Sequence, residues 1–285
     1  MLYLKDHICI AERAYCEDAI GWGDHYLFAM DGASGLSGSK LMGTGSDAEW
    51  FADRVRNALC RELDQCDNQS VEEILLKITD DLRKEYEKRA EELGVELPPD
   101  VPSAGIALFR EIGDELEFFG LGDCVGVVEL IDGTLVWQSD LRLPELDGIV
   151  TAKMAELHRE TGISVLEARK QCNDLLLKHR QLYNTPDGYW ILDPTGKGIP
   201  HAMKGRWKTN QVRSVSAFSD GFAWLVEAFG LYENYGALHQ KLTKTPLREL
   251  VDQLFTAQEQ DPDANRYPRL KFRDDTCALW AEAAP

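Results

Sequence analysis

Phe28-Ala-Met-Asp-Gly-Ala-Ser-Gly35 is the stretch from which the rest of the chain can be read. The apolar run from Tyr26 to Met30 predicts a buried strand, which ends in an acid followed by small residues. That order sets Asp31 at a strand tip, beside a glycine turn whose backbone a ligand can approach closely. The construction returns at Val215-Ser-Ala-Phe-Ser-Asp-Gly221, with Asp220 in the place of Asp31. A weaker copy is Leu116-Glu-Phe-Phe-Gly-Leu-Gly-Asp123, and the acid pair Asp274-Asp275 stands just before Cys277-Ala-Leu-Trp280. Each time a short apolar strand meets an aspartate at its edge. The expectation is that these aspartates converge on metal ions.

Working outward, His7-Ile-Cys-Ile-Ala-Glu12 reads as an earlier strand, and Glu17-Asp18 as a turn before the strand that leads to Asp31. Gly35 to Gly45 is a Gly/Ser-rich loop. Ser46 with Glu49, and Ser70 with Glu73, are capping boxes that open two successive amphipathic helices. The Pro-rich stretch 97–102 ends them. Four closely spaced strands follow between Ser103 and Gln138, too near one another for βαβ crossovers, and predict an antiparallel meander. Residues 140–185 return to helix with a third cap at Ser164 and Glu167. A short strand at 188–192, a strand at 211–219, helices near 221–228, 231–241 and 247–260, and a strand at 272–283 complete the order. Blocks of helices between blocks of antiparallel strands predict an α+β layered domain. No repeat and no low-complexity linker divides the chain, so residues 1–285 read as a single domain.

The chain carries 31 Lys and Arg against 49 Asp and Glu, a formal net charge of −18. Phosphate backbones and acidic headgroups are not attracted to a polyanion, so neither nucleic acid nor membrane is expected as a partner. Seven cysteines without CxxC spacing suggest neither a disulfide framework nor a zinc site. There is no apolar run of roughly 18 residues, the length a membrane span needs. These features predict a soluble, cytoplasmic protein with reduced thiols.

Carboxylates and a backbone carbonyl suit hard cations, Mg2+ or Mn2+. Carboxylates held close together repel unless cations neutralise them. Two such ions can hold a bridging water, lower its pKa and present hydroxide to phosphorus. Asp-Gly is also an ordinary turn, and the residues alone leave that reading open.

The order of motifs from Arg13 to Trp280 resembles that of the metal-dependent Ser/Thr protein phosphatases of type 2C, in particular their bacterial branch. Arg13-Ala-Tyr-Cys-Glu-Asp18 is similar to the family's opening motif, and Asp31-Gly32 to its metal turn. Gly122-Asp-Cys124, Ser219-Asp-Gly221 and Asp274-Asp-Thr-Cys277 resemble the three later ones. The resemblance implies a four-layer αββα sandwich, two antiparallel β-sheets flanked by helices, with a helical flap at about 140–187. It implies two or more Mn2+ or Mg2+ ions held by Asp18, Asp31, Asp220 and Asp274 and by the Gly32 carbonyl. Asp123 with Asp220 would hold a further ion, Glu17 would orient water, and Arg13 would bind the substrate phosphate. The activity implied is hydrolysis of phosphoserine and phosphothreonine by attack of a metal-bridging hydroxide, with a phosphorylated protein as substrate and a cognate kinase as a further partner. The alternatives are a catalytically weak or inactive phosphoprotein-binding relative, or a phosphatase of small phosphorylated metabolites.

Three departures stand out. Ala33 occupies the position where eukaryotic members carry a histidine proposed as general acid; Cys124 replaces a serine; Cys277 stands where Thr or Ser is common. Arg180 and His201, in the divergent stretch 140–210, are candidates for assisting at the site. No cysteine has an arginine six residues on, which excludes a Cys-x5-Arg phosphatase loop.

Overall fold

The computed structural model describes residues 2–33, 40–65, 69–97 and 101–283. Ser34, Gly35, the first part of the Gly/Ser loop, Cys66 and Pro98-Pro99-Asp100 lie outside the described residues.

The chain runs β1 (Leu2–Ile10), β2 (Ala19–Gly23), β3 (Tyr26–Ala33), α1 (Asp47–Gln65), α2 (Val71–Leu93), β4 (Ser103–Ile112), β5 (Glu115–Leu121), β6 (Val125–Leu130) and β7 (Leu135–Gln138). It continues α3 (Arg142–Thr161), α4 (Val165–Ala168), α5 (Asn173–Arg180), β8 (Met203–Lys208), β9 (Val212–Phe218), α6 (Asp220–Ala223), α7 (Tyr235–Leu242), α8 (Leu247–Glu259) and β10 (Thr276–Ala283). One sheet has the order β1-β10-β9-β6-β7 and the other β2-β3-β4-β5-β8, every pair antiparallel.

Why the central strands lack polar alternation is plain from what covers them. In β3, Tyr26, Phe28 and Met30 pack with α1 and α2, while Leu27 and Ala29 face the other sheet. In β10, Ala278 and Trp280 pack with α6, α7 and α8, while Cys277, Leu279 and Ala281 face inward. Strand side chains alternate with period two, so a strand covered on both faces must be apolar throughout. Each fully buried Phe or Leu in these layers contributes roughly 1.5–3 kcal/mol. The four layers expected of the fold, helices on sheet on sheet on helices, are present.

Both capping boxes at Ser70/Glu73 and Ser164/Glu167 are formed. At α1 the Ser46 Oγ accepts from the Glu49 N–H at 3.0 Å, but Glu49 reaches back to the Gly45 N–H, one residue further than a capping box requires. Helices α3 to α5 share a small apolar core of Val150, Met154, Val165, Ala168 and Cys172 with Ala264.

The meander expected over 103–138 is corrected. Strands β4 and β5 form one hairpin and β6 and β7 another, but the two hairpins lie in different sheets. The chain crosses from one sheet to the other at Gly122-Asp123, where Gly122 takes φ +69°. The segment 203–208, which lies between the strands expected at 188–192 and 211–219, forms the edge strand β8 against β5. The helix expected near 221–228 is regular only over α6, and the one near 231–241 begins at Tyr235.

Candidate metal centre

The strand pattern that builds the core also aims the acids. Leu27 and Ala29 face the space between the sheets, and two-residue alternation carries Asp31 onto the same face at the end of β3. Ala19 pairs with Met30, so Asp18, the residue before β2, falls opposite Asp31. The pairing extends one step further, with the Gly32 N–H donating to the Glu17 carbonyl at 3.0 Å. A Cβ at Gly32 would stand 2.3 Å from that carbonyl oxygen, so only glycine fits.

Asp123 arrives from the crossing between sheets. It packs against Gly105, the partner of Asp31 in β4: a Cβ there would lie in ordinary contact with the Asp123 Oδ1, at 3.5 Å, and closer to the Cys124 Sγ, at 3.2 Å. Asp220 follows β9 directly. Ser219 fixes that corner through two bonds to β10, its N–H donating to the Cys277 carbonyl and its Oγ accepting from the Cys277 N–H, both at 3.0 Å.

Asp31, Asp123 and Asp220 thus offer carboxylate oxygens within 4.8 Å of one another. Asp18 is buried beside them, and its Oδ2 and the Asp220 Oδ1 make no hydrogen bond. Buried polar atoms are nearly always paired, so two orphaned carboxylate oxygens at one place point to a missing partner.

The last acid pair divides its labour. Asp275 accepts from the Glu12 N–H at 2.7 Å and the Glu17 N–H at 2.6 Å, and so ties down residues 12–17. Asp274 instead lines the cleft with Asp123 and Asp220, and both its oxygens receive the Lys271 ammonium, at 2.7 and 2.6 Å.

Electrostatics records the crowding. Burial first, and then repulsion from neighbouring acids, holds the carboxyls of Asp18, Asp31 and Asp123 well above the usual carboxylate range. Asp220 is pushed up to about 7 by burial and by Asp274, with Lys271 opposing. Asp147, on α3, is raised to about 6 chiefly by burial.

The sign for stability follows from those directions. With folded-state pKa values above the unfolded ones, these groups bind more protons in the folded chain. For Asp220 that contribution to stability is complete below about pH 4 and is lost as pH rises through about 7, and the other acids act in the same direction. In chelator, the melting temperature near pH 6 should therefore exceed that near pH 8, and Mn2+ should raise it most at the higher pH. Calorimetric melts with and without Mn2+ across that range check this; a metal-free melt that rises with pH would contradict it.

The other sequence candidates lie around this core. Glu17 is buried and held through its backbone. Arg13 is half-exposed on the loop before it, with Nε on Glu12 at 3.1 Å and Nη1 donating to the Tyr15 hydroxyl at 2.9 Å. Arg180 reaches from α5 to the tip of β3, donating to the Ala33 carbonyl at 3.1 Å and the Ser103 Oγ at 3.3 Å. His201 stacks on Trp190 at 3.6 Å. A cleft of about 500 Å³ opens from the acids between α3, the turn after α6 and residues 268–274. Its lining includes Glu145, Asp147, Glu227 and Lys271, none of which sequence reasoning singled out. For Lys271 a signal existed, since it stands three residues before Asp274.

No protein-family model matches the chain, and no curated protein matches it in sequence. Solved structures do. The serine/threonine phosphatase PstP/Ppp of Mycobacterium tuberculosis is similar over 100% of both chains, at 15% identity and TM-score 0.56. The catalytic domain of PstP in complex with two manganese ions is similar over 100% of both chains, at 16% identity and TM-score 0.55. Serine/threonine phosphatase Stp1 from Staphylococcus aureus is similar over 100% of this chain and 96% of that one, at 14% identity and TM-score 0.56. With two five-stranded antiparallel sheets between helical layers and full-length likeness to these structures, the chain has the fold of the bacterial type 2C serine/threonine phosphatases.

Proposed function

We propose that this chain is a metal-dependent phosphoprotein phosphatase, hydrolysing phosphoserine and phosphothreonine monoesters. The observation that carries the reading is the convergence of Asp18, Asp31, Asp123 and Asp220, from four separate parts of the chain, with two carboxylate oxygens left unpartnered. An all-oxygen donor set of this kind fits Mn2+ or Mg2+. Asp18, Asp31, Asp220, Asp274 and the Gly32 carbonyl would hold two such ions, and Asp123 with Asp220 a further one. When bound, a pair of these ions lowers the pKa of water at the site and draws charge from the phosphoryl oxygens.

The chain's own residues do the rest. Glu17, fixed at its amide and its carbonyl, would orient water at the site. The half-exposed Arg13 guanidinium, on the loop before Glu17 and Asp18, would receive the phosphate monoester in bidentate fashion. Ala33 has no proton to give, so the leaving oxygen would take its proton from water at the site or from another group. Helices α3 to α5 would form the flap of a single phosphatase domain, tied to β3 and β4 by the Arg180 bonds to Ala33 and Ser103, and α3 lines the cleft in which the phosphorylated segment would lie. A phosphorylated protein, and the kinase that modifies it, are the partners this reading calls for, in the cytoplasm. No helix of the described residues is long and apolar enough to cross a membrane.

Hydrolysis of an aryl phosphate and of phosphoserine and phosphothreonine peptides with Mn2+ or Mg2+, abolished by a chelator and restored by metal, is the expected result. Metal binding without turnover of any phosphopeptide would replace this reading with that of a binding protein on the same scaffold. A panel in which small phosphorylated metabolites are turned over and phosphopeptides are not would move the substrate class.

A further inference from the structure

The loop before β10 carries a positive charge into the acid cluster. Lys271 places its Nζ 2.7 and 2.6 Å from the two oxygens of Asp274 and lines the same cleft as Asp123, Asp147 and Asp220. The loop that delivers it is built to hold still. Arg269, two residues earlier, is buried and donates to the Asp261 Oδ2 at 2.9 Å, the Tyr267 carbonyl at 3.0 Å and the Phe272 carbonyl at 3.2 Å. Asp275, four residues later, is fixed by the Glu12 and Glu17 amides. The ammonium is therefore presented to Asp274 from a braced segment at both ends.

We propose that Lys271 is a resident cation of the centre, which holds the Asp274 carboxylate in the metal-free chain and competes with a divalent ion for it. The inference rests on the metal-centre reading above. A monovalent ammonium and a divalent ion a few ångströms apart repel, and both draw on the same two oxygens. Lysine is suited to the part, because its charge sits on a flexible four-carbon stem and can swing into the cleft when the ion takes the carboxylate. The consequence is a centre whose ion at the Asp274 end is held more weakly than its carboxylates alone would dictate. Coupling of this kind is reciprocal: whatever Lys271 takes from metal affinity, the metal takes from the Lys271–Asp274 contact.

The test is a Mn2+ titration of the unmodified chain, Lys271→Met and Lys271→Arg, by calorimetry and by counting bound ions with electron paramagnetic resonance. Lys271→Met is expected to bind the ion at the Asp274 end at least about tenfold more tightly than the unmodified chain, the effect of removing one competing charge at this range. Its metal-free melt should fall, because Asp274 loses its counter-ion, and the difference should close at saturating Mn2+. Lys271→Arg, which keeps the charge, should titrate like the unmodified chain. Affinity is read from the loaded side as well, by competition with a chromophoric chelator, so that a Met variant stable only with metal still yields a value. Equal or weaker binding by Lys271→Met would overturn this inference alone. Failure of both the unmodified chain and the Met variant to bind Mn2+ would overturn it together with the phosphatase reading.

Discussion

Asp220→Asn should lower turnover of an aryl phosphate by roughly a thousandfold, on the scale of losing one preorganised group that stabilises the transition state. The same substitution should leave the metal-free chain as stable as before or more stable near pH 8. The two signs have one origin. Asp220 is crowded by Asp31 and Asp123 within 4.8 Å and its Oδ1 has no partner, so its charge is a cost to the folded chain when no cation is present. An isosteric amide removes the charge and offers the neighbouring carboxylates a donor. Turnover assays beside metal-free melts at the same pH check both halves. Full activity in the variant would remove Asp220 from the centre, and a large loss of metal-free stability would mean that its charge is already compensated.

Gly221→Ala should be among the most damaging single substitutions in the chain. A Cβ at this position would stand 2.0 Å from the Asp275 carbonyl oxygen and 3.0 Å from the Thr276 Oγ1. Neither neighbour can step aside, because Asp275 ties residues 12–17 to the sheet and Thr276 begins β10. The corner after β9 must therefore separate from the start of β10, at a cost of about 3 kcal/mol. That separation also parts Asp220 from Asp274, so Mn2+ binding should weaken along with the fold. Gly148→Ala is the matching control. That glycine lies in α3 with open space around it, and the change should stabilise by roughly 0.5–1 kcal/mol. Urea titrations of the three chains decide the matter; a Gly221→Ala variant within about 0.5 kcal/mol of the parent would show that the approach is looser than the geometry states.

Much of this was legible in the residues because local chemistry and global fold agree. Apolar runs covered on both faces, Ser-x-x-Glu pairs at three helix starts, two of them closed as capping boxes, and acids at strand tips are local signals that agree with the elements observed. What failed was pairing. Nothing in Gly122-Asp123 distinguishes a turn within one sheet from a step between two, since Gly at positive φ serves both; only the partners of β5 and β6, which lie some 80 residues further on, decide it. The helix after Asp220 was over-extended because Phe222, Leu225 and Phe229 keep a helical spacing. The backbone there mixes bond lengths, with the Phe229 N–H reaching the Trp224 carbonyl and the Leu231 N–H the Leu225 carbonyl. Lys271 escaped notice for a different reason. In a chain with 49 acids a lysine near an aspartate reads as an ordinary solvated pair, and only the tertiary placement of Asp274 gives it a different meaning. Arg180 has no local signal beyond its place in a divergent stretch, yet its guanidinium donates to the Ala33 carbonyl at the tip of β3.

The sheet order β1-β10-β9-β6-β7 bears on how the molecule comes off the ribosome. Strand β1 has a single sheet neighbour, β10, and 266 positions separate Ile10 from Thr276 (276 − 10). At about 5–20 residues per second, the newly made β1 waits roughly 15 to 50 s for a partner. An unpaired edge is an invitation to intermolecular joining, and β1 carries two of the usual deterrents: the charged pair Lys5-Asp6 and an irregularity in register between Leu4 and Asp6. Nascent chains stalled short of β10 should accordingly stay dispersed, and lose that property when Lys5 and Asp6 are made apolar.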